Sequence, residues 1–415
     1  MMPRPEINGE RLLARLDLFA AVGATPGGGV NRQALTVGDR EARSLLTRLA
    51  KARGFSVFQD DAANLFIRME GRDGSLPPLL IGSHLDSQPS GGRFDGALGT
   101  LTAFEVLESL ADAAFEPDRP VEVVAWTNEE GCRFAPGCMG SRAFVEGKVP
   151  AEWEGLRATD DGSRFNDDRL ATIEALAPEI GHRRLGFPVA AYLELHIEQG
   201  PSLESAEIPV GIVTGVQGTR WLEVLFEGQT AHAGTTALQF RRDPLKALTR
   251  GLAALYETVM PEKDDARFTV GRIAVTPGSV NAIPATASCT IDLRHPDTFV
   301  LDQLEEDIRT QLAGAAETES VSFFIRKTVD MAPVTFSEDV VAALQAAART
   351  AGFKTRSMIS GAFHDALFLA GHAPSAMIFV PCRDGLSHNE AEYVKPEDSV
   401  AGARMFLASV LELLS

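Results

Sequence analysis

Short apolar runs bounded by glycine or proline alternate with stretches of helical periodicity through the first half of the chain, and this alternation restricts the fold more than any other feature. The runs include Leu79–Ser83, Val121–Thr127 and Ala191–Ile197; the periodic stretches include Val37–Arg53 and Ala97–Leu110. Strands that alternate with helices favour an α/β layer fold on a mostly parallel sheet. The middle of the chain reads differently. "RWLEVLFEGQTAHAG", a helix over Pro244–Thr258, "RFTVGRIAVTPGSVNAIPATASCTIDLRH", a helix over Thr298–Leu312 and "SVSFFIRKT" give β-α-β-β-α-β. That is the order of a ferredoxin-like sandwich. Residues 214–329 are therefore expected to form an inserted α+β domain, with 1–213 and 330–415 making one discontinuous domain.

The chain has 415 residues, 45% of them hydrophobic, enough for a sizeable core. A formal net charge of -18 argues against nucleic acid or an anionic membrane as partner. No apolar run approaches the roughly 20 residues of a membrane span. The N-terminal "MMPRPEINGERLLARLDLFA" reads as an amphipathic helix and lacks the apolar stretch of a signal peptide. Four cysteines make no disulfide scaffold, and Cys132 and Cys138 lack zinc-knuckle spacing. The expected compartment is the cytoplasm.

Polar residues gather where the apolar runs stop. "GSHLDSQPSGGRFDGALG" places His84 and Asp86 at the end of one run and Asp95 on a glycine-rich turn. In open α/β sheets, sites form at the carboxyl ends of strands. Asp86 is placed to accept a bond from the imidazole nitrogen of His84 that faces away from a ligand. "AWTNEEGCRF" ends a second run in adjacent carboxylates, Glu129 and Glu130, whose mutual repulsion calls for a cation or a proton. In "YLELHIEQGP", alternation puts Glu194, His196 and Glu198 on one face, with Gln199 just after. His388 follows a turn in "GLSHNEAE". Each segment alone reads equally well as a polar loop. Together they fit a site for two divalent ions sharing one carboxylate, with Asp95 as the shared ligand. Imidazole and carboxylate ligands suit Zn²⁺ first, with Mn²⁺, Co²⁺ or Ni²⁺ as alternatives.

These motifs, with "GQTAHAGTT", "GSVNAIP", "DLRH" and "SGAFHDA", resemble the metal-dependent amidohydrolases of the peptidase M20 type. They are most similar to the hydantoinase/carbamoylase branch: N-carbamoyl-L-amino-acid hydrolases, β-ureidopropionases and allantoate amidohydrolases. The likeness runs in order from about residue 10 to the C-terminus. It implies a metallo-aminopeptidase-like catalytic domain carrying a lid and dimerisation domain, two divalent ions per subunit and a homodimer. By resemblance, His84, Asp95 and His196 would hold one ion, and Asp95, Glu130 and His388 the other. Glu129 would be the general base, Asp86 would orient His84, and His232, from the lid of the partner subunit, would polarise the scissile carbonyl. Gln199, Asn281 and Arg294 would bind a small substrate, with Arg294 on its carboxylate, and Gly361 and Ala362 would offer backbone groups at the pocket mouth.

The implied reaction is hydrolysis of an amide or ureido C–N bond, with an N-carbamoyl amino acid giving amino acid, CO₂ and ammonia. Allantoate, or an N-acyl amino acid or dipeptide, is the alternative substrate. "TNEEGCRFAPGCMGS" looks closer to the carbamoylases, because the allantoate enzymes tend to carry an extra acidic residue before the pair. His182, His295 and His372 match no motif; His364 and Asp365 match one without an expected ligand role. Phe363, Glu390, Cys382 and Gln88 depart from the family pattern, where Gly, Pro, Ser or Thr, and an apolar residue are common. None of these removes a metal ligand.

Overall fold

The computed structural model describes residues 4–260 and 265–415. The chain divides into two compact units: residues up to Gly215 with Phe336–Ser415, and Val216–Thr335. Both boundaries fall a few residues downstream of those read from the sequence.

The larger unit is built on one sheet. Its four middle strands, Val121–Trp126, Leu79–His84, Ala191–Ile197 and Ser375–Val380, run parallel in that order. Every residue in them is buried, as expected of parallel strands covered on both faces. Trp126 Nε1 donates to the Tyr192 hydroxyl at 3.0 Å, and that hydroxyl donates to the Gly82 carbonyl at 3.0 Å. One buried chain of hydrogen bonds thus pins three of the four strands. Leu65–Met69 and Ser56–Gln59 extend one flank antiparallel. Val210–Val216 extends the other, antiparallel to Ser375–Val380, and Thr355–Ser360 pairs with it. These flanking strands were not among the expected ones. Two of them, "SVFQ" and "TRSMIS", are short or broken by polar residues and only partly buried.

Helix Ala97–Asp112 lies across three of the middle strands and is buried nearly end to end. Its two glutamates are paired: Arg11 Nε meets Glu105 at 2.7 Å, and Arg15 pairs with Glu108. Helix Pro396–Leu413 packs on Ser375–Val380 and on helix Glu338–Ala351. Helix Val37–Ala52 carries the buried pair Asp39–Arg43 at 3.0 Å, and Arg43 reaches the carbonyls of Ala63 and Trp126 at 2.6 and 3.3 Å. The parallel direction brings His84, Trp126, Ile197 and Val380 to one edge of the sheet.

The smaller unit has four antiparallel strands in the order Arg267–Thr276, Thr286–His295, Gly218–Glu227, Ser322–Met331. First and third strands pair at the centre and second and fourth form the edges, which is the ferredoxin-like arrangement. Helices Pro244–Thr258 and Thr298–Glu319 pack together on the sheet, around Phe226, Leu248, Leu255, Ile291, Ile308 and Leu312. Each helix starts on an aspartate cap: Asp243 accepts the Leu245 and Lys246 amides, and Asp297 those of Phe299 and Val300. A short ribbon pairs Ala231–His232 with Ala282–Ile283. Among the described residues no helix is long and apolar enough to cross a membrane.

Candidate metal centre

His84 is the last residue of its strand, and its ring is buried. Nδ1 lies 2.9 Å from the backbone carbonyl of Asp86, which fixes the proton on Nδ1 and leaves Nε2 with a lone pair. The Asp86 carboxylate is farther away, at 3.6 Å. The carboxylate instead accepts the backbone N–H groups of Glu129 and Glu130 at 3.3 and 3.2 Å, so it holds the neighbouring loop. The adjacent backbone was the nearer acceptor, which an H-x-D pattern cannot reveal. Gly96, at φ +62, closes the Asp95 turn onto the His84 ring, where a Cβ would overlap the imidazole.

His196 is set the same way, with Nδ1 3.0 Å from the Ile197 carbonyl. His196 Nε2 is 3.1 Å and His84 Nε2 3.7 Å from Asp95 Oδ1. Both Nε2 atoms are buried and neither has a hydrogen-bond partner. Two orphaned lone pairs converging on one carboxylate oxygen fit a cation, and nitrogen with carboxylate oxygen is a donor set that zinc-type ions take.

A second group shares Asp95. His388 Nε2 lies 3.6 Å from Asp95 Oδ2 and 3.4 Å from Glu130 Oε2. The ligand atoms of each triad lie within 4.8 Å of one another. This side is more open, since the His388 side chain is 51% exposed and its backbone is left-handed at φ +54. Two amides touch it. Gln199 Nε2 donates to Asp95 Oδ2 at 2.9 Å, so the structure sets this residue, expected on the substrate, against the carboxylate cluster. Gln88 donates to Glu130 twice, from its backbone at 3.1 Å and from its side chain at 2.7 Å.

Glu129 stands beside the first triad, with Oε2 3.5 Å from His84 Nε2. Burial drives its proton affinity well above the usual carboxylate range against the opposing pull of His84, and the charges of Asp365, Glu130 and Asp95 act in the same direction as burial. Burial, then Asp95, does the same to Glu130. For Asp95, the neighbouring His196 and His84 outweigh burial and hold the carboxyl well below that range. Packed carboxylates of this kind need positive charge or protons, and divalent cations supply the former.

Several supporting residues carried no sequence signal of their own. Glu392, in "GLSHNEAE", is buried and accepts the N–H groups of Phe94 and Asp95 at 2.9 and 3.0 Å. The glycines "GG" before Asp95 were the available hint, because a Cβ at Gly92 would overlap the Glu392 carboxylate. Arg32 is buried and binds the carbonyls of Leu85, Phe19 and Val22 at 2.7, 2.8 and 2.9 Å, bracing the loop after His84. Behind His196, Glu194 accepts Ser83 Oγ at 2.8 Å and the Ala366 amide at 3.1 Å, and its second oxygen lies 3.2 Å from Tyr192 Oη. The His364 ring lies 4.4 Å from the His196 ring, tilted by 58° to it, and Asp365 accepts a bond from Ser141. With both Glu194 oxygens engaged, this group supports His196.

The remaining expected residues fall elsewhere. Ala362 donates its N–H to Ser360 Oγ at 3.1 Å and its carbonyl accepts from the same hydroxyl at 2.9 Å, so both of its backbone groups are engaged. Gly361, beside it, is exposed. His232, Asn281 and Arg294 belong to the smaller unit. His232 faces Ala282 across the short ribbon, and the Asn281 carbonyl accepts the Ala233 amide at 2.9 Å. His232 Nδ1 accepts the Gly234 and Thr235 amides at 3.1 and 3.2 Å, so its proton sits on Nε2. Arg294 forks onto Asp292 at 2.8 and 2.7 Å, and Trp221 Nε1 donates to the same carboxylate at 3.0 Å.

Residues 80–412 match the model of peptidase family M20/M25/M40. The chain belongs to this family. It is thus a metal-dependent hydrolase. It is 37% identical over 407 residues to an N-carbamoyl-L-amino-acid amidohydrolase of Rhizobium meliloti, covering 98% of this chain and 96% of that one. It is 31% identical over 395 residues to an allantoate amidohydrolase of Bacillus subtilis, with 94% of each covered. A crystal structure of an amidase of the hydantoinase/carbamoylase family from Burkholderia multivorans superposes with a TM-score of 0.92 at 40% identity, over 100% of both chains. The M20-type fold of the larger unit, with its smaller inserted unit, accounts for the order of motifs along the sequence.

Proposed function

We propose that this enzyme hydrolyses the ureido C–N bond of N-carbamoyl amino acids, using two divalent cations, Zn²⁺ in the first place, held by His84, Asp95 and His196 and by Asp95, Glu130 and His388. The observation that carries the reading is the two-sided use of Asp95, whose oxygens face different histidines. Cations bound there would lower the pKa of a water and stabilise an oxyanion as it forms. The protein's own groups do the rest. Glu129, with its raised proton affinity, takes a proton from the attacking water and returns it to the amino-acid nitrogen as the C–N bond breaks. The carbamate released falls apart to CO₂ and ammonia. His232 of the partner subunit in a homodimer, carrying its proton on Nε2, donates to the carbonyl oxygen as negative charge develops. Arg294 and Asn281 bind the carboxylate end. Asn128 favours the carbamoylase reading over allantoate: its amide donates to the carbonyls of Phe134 and Pro136 at 2.7 and 3.1 Å, so an acidic residue there would lose both bonds. All four cysteines are free thiols, which suits the reducing cytoplasm.

The deciding experiment is ammonia release by protein stripped of metal and reloaded with Zn²⁺ or Mn²⁺. The panel holds N-carbamoyl-L-amino acids, N-carbamoyl-β-alanine and allantoate, with amine detection for N-acetyl amino acids and dipeptides. Turnover of a carbamoyl amino acid, lost by at least a thousandfold in Glu129→Gln while metal content is kept, is the expected result (~10³, about 4 kcal/mol added to the barrier). Turnover of the acyl or peptide substrates alone would reject the ureido reading.

A further inference from the structure

The two sides of Asp95 are not equivalent. On the His84–His196 side every donor atom is buried, both Nε2 atoms lack partners, and no amide touches Asp95 Oδ1. On the His388 side the Gln199 amide nitrogen is 2.9 Å from Asp95 Oδ2 and 3.5 Å from His388 Nε2. It therefore occupies two of the three atoms that would take a cation there. The third, Glu130 Oε2, is held by the Gln88 amide. The other end of the Gln199 amide, Oε1, is buried with no partner, so this side chain is satisfied at one end only. Its backbone is left-handed, at φ +56, on the loop that follows the His196 strand.

We infer that Gln199 is a gate on the second cation position: its amide stands in for the cation at Asp95 Oδ2 and His388, and a cation enters only by displacing it. The inference rests on the two-ion reading above. Loading is then stepwise. The His84–His196 side fills first, because nothing must move and two orphaned nitrogens gain a partner. The His388 side fills second and more weakly, because a hydrogen bond to an ionised carboxylate is given up. Displacement also frees the Gln199 amide for a substrate group. By linkage, substrate that holds the swung-out amide tightens the second cation, and the second cation tightens substrate by the same factor.

The test is a calorimetric titration of metal-free protein with Zn²⁺ alone, with no substrate present. Wild type should bind two ions in separable steps, and His388→Ala should lose the weaker step only. Gln199→Ala should tighten the weaker step by about tenfold and leave the stronger one unchanged, since one charge-assisted hydrogen bond no longer competes. Damage to the site would weaken binding instead, so the sign separates a gate from a prop. Gln88→Leu provides an independent arm on Glu130, and a melting curve of each metal-free variant confirms folding. Two steps with the weaker one unchanged or weakened in Gln199→Ala would overturn the gate and leave the two-ion reading standing. A single ion in wild type would overturn both.

Discussion

Asp95 can serve two histidine groups only if its loop does not move, and Glu392 is what fixes the loop. Its carboxylate takes the Phe94 and Asp95 amides, and the glycines before Asp95 leave room for it. Replacing Glu392 with Ala strands two buried N–H groups beside the shared ligand. We expect a loss of about 10- to 100-fold in metal affinity, measured by competition with a chelator, with secondary structure retained. Unchanged affinity would show that the loop holds itself. The sequence exposed the ligand candidates because a histidine or carboxylate at the end of an apolar run has no packing reason to be there. His84, Glu130 and His196 stood out in this way; Asp95 and His388, on turns, drew meaning only from the set. Glu392, Arg32 and the hold of the Asp86 carboxylate on the Glu129 and Glu130 amides did not stand out, because their partners are main-chain atoms distant in sequence. Gln199 was legible as a site residue, but its place on Asp95 depends on a left-handed turn that no pattern announces.

Between the strands Ser56–Gln59 and Leu65–Met69, a turn is organised by Asp60. It accepts the Ala62 and Asn64 amides at 2.9 and 3.0 Å and the Asn64 side chain at 2.9 Å. Burial outweighs these bonds and pushes its carboxyl up to about 7. The folded protein therefore holds a proton there that the unfolded chain releases near pH 4. The contribution to stability is fully present below that point and is lost as pH rises through about 7. In Asp60→Asn the slope of unfolding free energy between pH 4 and 7 should be less negative by up to one proton's worth, read from urea melts of both proteins across that range. Identical slopes would place the ionised carboxylate in the fold. This turn was not anticipated, and neither were the strands on either side of it. The middle strands were legible because parallel burial makes them mostly apolar. The flank strands mix polar residues into so few positions that neither a period of two nor an apolar run emerges. In the smaller unit the alternating burial of Thr286–His295 is clean, and its strand order was accordingly readable.

At the scale of the molecule, the insertion leaves and re-enters the sheet at one place. The Phe336 amide donates to the Thr214 carbonyl at 2.9 Å, so the two crossings of the chain lie side by side. Replacing residues 216–335 with a short Gly/Ser linker should give a larger unit that melts cooperatively and still binds metal. Turnover should vanish, because His232, Asn281 and Arg294 leave with the insertion. Loss of the melt, followed by circular dichroism, would show that the larger unit depends on the smaller. The order of strands has a consequence for a chain still on the ribosome. Ser375–Val380 lies between Ala191–Ile197 and Val210–Val216 in the sheet, yet it is made long after both. Throughout the intervening synthesis those two strands present unpaired apolar edges, while the contiguous insertion already has every strand and helix it needs. A nascent chain stalled before residue 375 would carry one finished domain tethered to a half-built sheet. The interval before its last strand emerges is when this protein most needs a chaperone.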